Sequence, residues 1–305
     1  MKRFLLHSVL FLTLVLGTIA YVFYQADGYT DPFYARFTSP PQSSLIIGTS
    51  KAAQGLRPDV LNKTLPDSIY NFAFTVAHSP YGPAYLNGIK RKLSEVDTTK
   101  NSIFIVTVDA WSISDANEDP NDETQFDENK SFLNKLTTVS SKPNIPYLVG
   151  YYKNNFAKIF DKDTVAYLHD DGWLEINTRM APAVIDIRIQ NKATSLQEKK
   201  NSYQLSKTRL SYLYETIEYL KKRGEVFVIT LPVHPELTEL DTAVIPEFTE
   251  LMYTLSRDIY VPYLDLSHEN AAYTYTDGIH LYKDSAREVS ERVARWIKLE
   301  SRPKR

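Results

Sequence analysis

Residues 102–108 read Ser-Ile-Phe-Ile-Val-Thr-Val, apolar at nearly every position. A strand with one wet face alternates apolar and polar side chains; a continuous apolar run requires cover on both faces. Further apolar runs recur at 44–48, 68–74, 225–231 and 259–264. Between them lie segments with helical spacing, at 80–95, 203–223, 246–257 and 283–298. In 203–223, Leu210, Leu213, Ile217 and Leu220 share one face, and Gly224 stands where such a helix would end. In the last segment Ala286, Val289, Val293 and Ile297 share a side. Strands alternating with helices predict an α/β fold of three layers, a parallel sheet with helices on both faces. Sites on such sheets lie at the carboxyl ends of the strands.

The N-terminus constrains location. Phe4 to Tyr24 carries one polar ring, His7, and no Asp, Glu, Lys or Arg. About 20 such residues suffice to cross a bilayer as a helix. Lys2 and Arg3 precede the run, so the positive-inside tendency keeps the N-terminus in the cytoplasm and exports the rest. Two readings fit: an uncleaved anchor over 1–24, or a signal peptide cut near Thr18-Ile19-Ala20. Continuation through Tyr21-Val22-Phe23-Tyr24 favours the anchor, with the main domain on the extracytoplasmic (periplasmic or extracellular) side. The chain has no cysteine, which removes disulfides, thiolate metal sites and a cysteine nucleophile. A net charge of −2 gives no reason to expect a nucleic-acid partner.

Residues 25–43 carry Pro32, Pro40 and Pro41 and read as a linker. The domain then spans 44–305, with its rhythm broken at about 115–200. That stretch is acidic at first, then rich in aromatics, with a hairpin turn signalled by Asp170-Asp171-Gly172-Trp173. It reads as an insertion, either a wall or lid over the site or a surface elaboration.

Four chemistry-bearing segments follow predicted strands: Ser50, Asp109, His234 and the pair Asp277/His280. Ser50 ends Leu45-Ile46-Ile47-Gly48-Thr49-Ser50, and a serine there is ordinarily a helix N-cap. Its chemical advantage would be a backbone N–H at a helix N-terminus, where negative charge is favoured. The elbow of α/β-hydrolases wants a glycine two residues on, and Ala52 stands there. In Asp277-Gly278-Ile279-His280, Gly278 permits a tight turn in which the carboxylate meets the imidazole, although an Asp-Gly turn with an incidental histidine has the same spelling. Serine, histidine and aspartate together supply the nucleophile, base and orienter of acyl transfer. No HExxH or similar spacing is present, so neither a metal nor another cofactor is expected. His234 is a candidate for lining the pocket. His78, His169 and His268 read as surface or core residues.

Two stretches carry a resemblance. Leu45–Pro58, LIIGTSKAAQGLRP, resembles the nucleophile block of SGNH/GDSL-type hydrolases, in particular their membrane-anchored envelope branch. Thr276–Leu281, TDGIHL, resembles the last block of that family. Asn71-Phe72-Ala73-Phe74 and Val106–Ser112 stand at the second and third blocks, without the usual glycine and asparagine; Asp109 and Trp111 occupy the third. The resemblance implies an SGNH-like (flavodoxin-like) sheet and a triad of Ser50, Asp277 and His280. The candidates for oxyanion or substrate contacts are Gly48, Thr49, Asn71, Asp109 and Trp111 from these blocks, and His234 from its place after a predicted strand.

It further implies an O-acyl esterase or acyltransferase acting on an acylated carbohydrate or cell-wall polymer. Anchored relatives, such as the D-alanine transfer protein of teichoic acid assembly, work beside a polytopic membrane O-acyltransferase. The alternative is a non-catalytic envelope protein of the same fold that binds a glycan or such a partner.

Overall fold

Five parallel strands form the central sheet: β1 (Ser44–Ile47), β2 (Ile69–Asn71), β3 (Ser102–Thr107), β4 (Gly224–Thr230) and β5 (Tyr263–Asp265), in the order β2-β1-β3-β4-β5. This computed structural model describes residues 1–95, 102–137, 139–152, 156–161 and 164–301. Parts of the insertion (138, 153–155, 162–163) and the end of the domain (302–305) lie outside the described residues. The main helices are α1 (Lys2–Tyr24), α2 (Ser50–Gly55), α3 (Pro83–Lys92), α4 (Pro182–Lys199), α5 (Lys207–Lys221), α6 (Phe248–Asp258) and α7 (Lys283–Glu300).

Strand alternation divides the core in two. Leu45, Ile47, Phe104, Val106, Val226 and Val228 face one way, onto Tyr85 and Ile89 of α3, Leu213, Ile217 and Leu220 of α5, and Met252 and Leu255 of α6. Ile46, Ile103, Ile105, Phe227 and Ile229 face the other, onto Ala52 and Ala53 of α2 and Ala286, Val289, Val293 and Ile297 of α7. The continuous apolar runs are thus what a sheet covered on both faces requires. Gly224 is not a helix cap. It opens β4, where a Cβ would lie 2.1 Å from the Ser102 carbonyl oxygen of β3.

The helix expected at 203–223 begins later, capped by Ser206, whose hydroxyl accepts from the Arg209 N–H. The preceding Gln204–Leu205 pairs antiparallel with Ser114–Asp115. That short ladder closes the base of the insertion, so the chain leaves and re-enters the domain at one point. The strand expected at 259–264 starts only at Tyr263. The chain first leaves α6 through Tyr260 at φ 53.

Residues 25–43 are not a loose linker. Ala26, Thr30, Asp31, Tyr34, Arg36 and Phe37 are buried. The Arg36 guanidinium donates to the Gly172 carbonyl, at the tip of the hairpin formed by Ala166–Leu168 and Leu174–Ile176. The prolines extend this backbone, and its aromatic residues dock it on the domain. α1 is long and apolar enough to cross a membrane, with no residue buried.

Candidate active site

The sheet order reverses between β1 and β3, and open α/β sheets bind ligands at such a switch point. Here the crevice is bridged by a hydrogen bond from the Thr49 hydroxyl, after β1, to Asp109 Oδ2, after β3, at 2.9 Å. Asp109 Oδ1 accepts from the Ser112 N–H at 2.9 Å, which caps the short turn Ala110–Ile113. Thr49 is itself the N-cap of α2, so Ser50 is presented at the first residue of that helix, half-exposed. The tight connection needs glycine at 48: φ is +146°, and a Cβ would lie 1.8 Å from Thr107 Oγ1.

Ser50 Oγ lies 2.8 Å from His280 Nε2. His280 Nδ1 lies 2.9 Å from Asp277 Oδ2 and 3.0 Å from Oδ1. The Ile279 and His280 N–H groups both donate to Asp277 Oδ1 at 3.1 Å. Gly278, at φ +93°, makes this turn possible. The loop is pinned from outside by the His234 N–H, which donates to the Gly278 carbonyl at 2.7 Å. Burial would raise the Asp277 carboxyl, but the hydrogen bond and charge of His280, the Lys192 ammonium and the Ile279 N–H outweigh it and hold it well below the usual carboxylate range. The aspartate is therefore charged at any working pH, and it orders the His280 ring with Nε2 toward the serine.

The cleft beside Ser50 is lined by Thr49, Val76, Asp109, Trp111, Leu196 and Ile279, with Lys51, Lys192, Ser195, Lys199, Tyr203 and Asp241 completing it. Lys51, one residue after the serine, makes a buried ion pair with Asp241 at 2.6 and 2.7 Å. Burial opposes the Lys51 ammonium; Asp241 and Asp109 outweigh that and raise its pKa. The Trp111 indole N–H is buried facing the Asp241 carboxylate without a formed hydrogen bond.

The structure therefore brings Ser50, Asp277, His280, Thr49, Asp109 and Trp111 together. Three expected contacts are not at the cleft. Asn71 is fully buried, donating to the Ala52 and Leu56 carbonyls at 2.9 Å, where it ties the end of α2 to β2. The Gly48 N–H donates to the Tyr85 hydroxyl and its carbonyl accepts from Ser79 Oγ, so neither is free for a ligand. His234 supports the triad loop through its backbone, and its ring meets Tyr275 edge-on, away from the cleft.

Within the insertion read as a wall, a lid or a surface elaboration, α4 lines the cleft; sequence reasoning named neither this helix nor its side chains. Lys192, Leu196 and Lys199 recur at helical spacing on the face that overlooks Ser50, and Lys192 Nζ lies 3.4 Å from Asp277 Oδ2. α4 is seated by Ile189 against Val233 and Leu237. Among the described residues, no cluster of acidic and histidine side chains suits a metal ion.

No protein-family model matches the chain, and no curated protein does. Among solved structures it is similar to the native aryl esterase of M. smegmatis, at 12% identity and a TM-score of 0.39, covering 84% of this chain and 99% of that one. It is also similar to a carbohydrate acetylesterase from Sinorhizobium meliloti, at 12% identity and a TM-score of 0.36, covering 85% and 99%. Likeness at this distance does not decide what the chain does; its side-chain geometry has to.

Proposed function

We propose that the protein is a serine-dependent O-acyl esterase or acyltransferase. One observation carries this reading: an unbroken series of hydrogen bonds from Ser50 Oγ through His280 to Asp277, opening on a cleft. Ser50 attacks the acyl carbonyl as His280 Nε2 takes its proton. The tetrahedral oxyanion is met by the Ser50 N–H, which has no hydrogen-bond partner among the described residues. His280 returns the proton to the leaving alcohol, giving an acyl-Ser50 ester. Water or a sugar hydroxyl, deprotonated by His280, then releases the acyl group.

The substrate class we infer is an acylated carbohydrate or cell-wall polymer. Support comes from the apolar α1, read as an anchor that holds the domain on the extracytoplasmic side, and from the envelope-branch resemblance of the first and last blocks. A polytopic membrane acyltransferase is the partner such a location suits.

Labelling by a fluorophosphonate probe tests the chemistry. Wild type should label and Ser50→Ala should not. Equal labelling of both, or none of either, rejects the nucleophile. The second reading, a glycan binder without turnover, is favoured by Asn71, whose amide is committed to α2. It expects glycan binding unchanged in Ser50→Ala and no labelling of wild type.

A further inference from the structure

The end of α1 is gripped by the domain with no slack. Val22 and Phe23 are partly buried against the main core, and Ala26 is fully buried. The next turn is closed by Thr30, whose hydroxyl donates to the Asp27 carbonyl at 2.7 Å. The Gly28 carbonyl accepts from the Leu168 N–H at 3.0 Å, and the Tyr29 ring sits 4.3 Å from that of Tyr167, both in the 166–176 hairpin. Asp31 accepts from the Tyr147 hydroxyl at 3.1 Å, and the Tyr34 hydroxyl accepts from the Asn144 N–H at 3.0 Å. Two elements therefore flank the exit of α1: the hairpin, and the short helix Ile145–Gly150.

The helix exposes apolar side chains, and others are exposed beside the hairpin. The helix reads Ile-Pro-Tyr-Leu-Val-Gly. Tyr147 and Leu148 point inward, leaving Ile145 44% and Val149 61% exposed, with Pro146 and Gly150 also outward. None of the four outward residues of this helix is charged or polar. Beside the hairpin, Val165 is 46% exposed, and Tyr29 is 37% exposed. A cation also stands at the exit, with Lys142 Nζ 5.8 Å from the centre of the Tyr24 ring. Apolar tips, tyrosines and a lysine around a helix end are the composition of a membrane–water interface.

We propose that this face, centred on Ile145 and Val149, inserts into the interfacial layer of the same bilayer that α1 crosses. The domain would then lie on the membrane in a fixed orientation instead of swinging on a tether. The occupant is lipid because the face is continuous with the exit of α1, and because a rigid connection presents it to the bilayer surface. The proposal rests on reading α1 as a membrane anchor.

The chain has no cysteine, so single cysteines report cleanly. The full chain is reconstituted in phosphatidylcholine–phosphatidylglycerol nanodiscs with an environment-sensitive fluorophore at Val149→Cys, Ile145→Cys, Leu12→Cys or Arg257→Cys. Leu12 lies in α1, and Arg257 is exposed on α6, which packs on the opposite edge strand of the sheet. Expected are blue-shifted emission and at least two-fold quenching by brominated lipid at 12, 145 and 149, with none at 257. Quenching at 12 with aqueous emission at 145 and 149 overturns the docking face and leaves the anchor standing. An unquenched label at 12 removes the anchor reading, and this proposal with it.

Discussion

Ser50 and His280 stand 230 positions apart in the chain, yet the serine hydroxyl lies 2.8 Å from the imidazole Nε2. The contact exists because β1 and the loop after β5 both deliver their next residues to the carboxyl edge of one sheet. α2 starts at the serine, and α7 begins three residues after the histidine.

Removal of the base or its orienter should cost activity in a graded way. In His280→Ala, kcat/KM for an aryl acetate should fall by roughly 10³-fold or more, as in Ser50→Ala; in Asp277→Asn the loss should be roughly 10²–10⁴-fold. The double variant Ser50→Ala/His280→Ala should be little worse than either single one, since the groups act as a unit. A near-native rate in Asp277→Asn would rule out the orienting role.

The depressed Asp277 carboxyl also links to stability. Its folded pKa lies below the unfolded value, so its contribution is complete above the unfolded carboxylate range, near pH 4, and is lost as pH falls below it. Urea midpoints measured from pH 6 to pH 3 should decline less steeply in Asp277→Asn than in wild type.

Lys51 and Asp241 should be worth little as a pair and much as separate halves. Lys51→Met leaves a buried carboxylate uncompensated, at a cost of about 3–5 kcal/mol. Adding Asp241→Leu should recover most of it. If chemical denaturation finds Lys51→Met as stable as wild type, the ion pair is not formed in solution.

Lys92 gives a second pH signature, of opposite placement. Burial without a carboxylate lowers its pKa from 10.5 to about 7, and its ammonium is held by the Ser39 carbonyl and hydroxyl. Between these values the unfolded chain binds a proton that the folded one does not, so stability rises with pH from about 7 to 10.5. Lys92→Met should flatten that rise in denaturation midpoints at pH 7 and pH 9.5. An unchanged slope would remove Lys92 as its source.

Gly48→Ala should abolish both folding yield and activity. The added methyl would meet Thr107 Oγ1 at 1.8 Å, in a backbone region that side chains rarely adopt. Soluble, active Gly48→Ala protein, seen by circular dichroism and ester turnover, would contradict this backbone path.

Much of the site is written locally. The continuous apolar runs at β1, β3 and β4 determined a doubly covered sheet, because period and composition record burial on both faces. Asp277-Gly278-Ile279-His280 determined its own turn, since the bonded groups are three residues apart. α4 was illegible: Ile185, Ile187 and Ile189 alternate with Asp186 and Arg188, which spells a strand as readily as a helix. Packing of Ile189 on Val233 and Leu237 settled it, and with it the placement of Lys192 and Lys199 over Ser50.

Asn71, His234 and Lys51 mark the other limit. Their types suggested nothing about direction, and only the tertiary fold turned the Asn71 amide into α2, the His234 ring onto Tyr275 and the Lys51 ammonium onto Asp241, 190 positions away. Short-range patterning fixes which backbone forms and which face is apolar. Which polar groups find each other depends on long-range chain closure, and no local pattern encodes that.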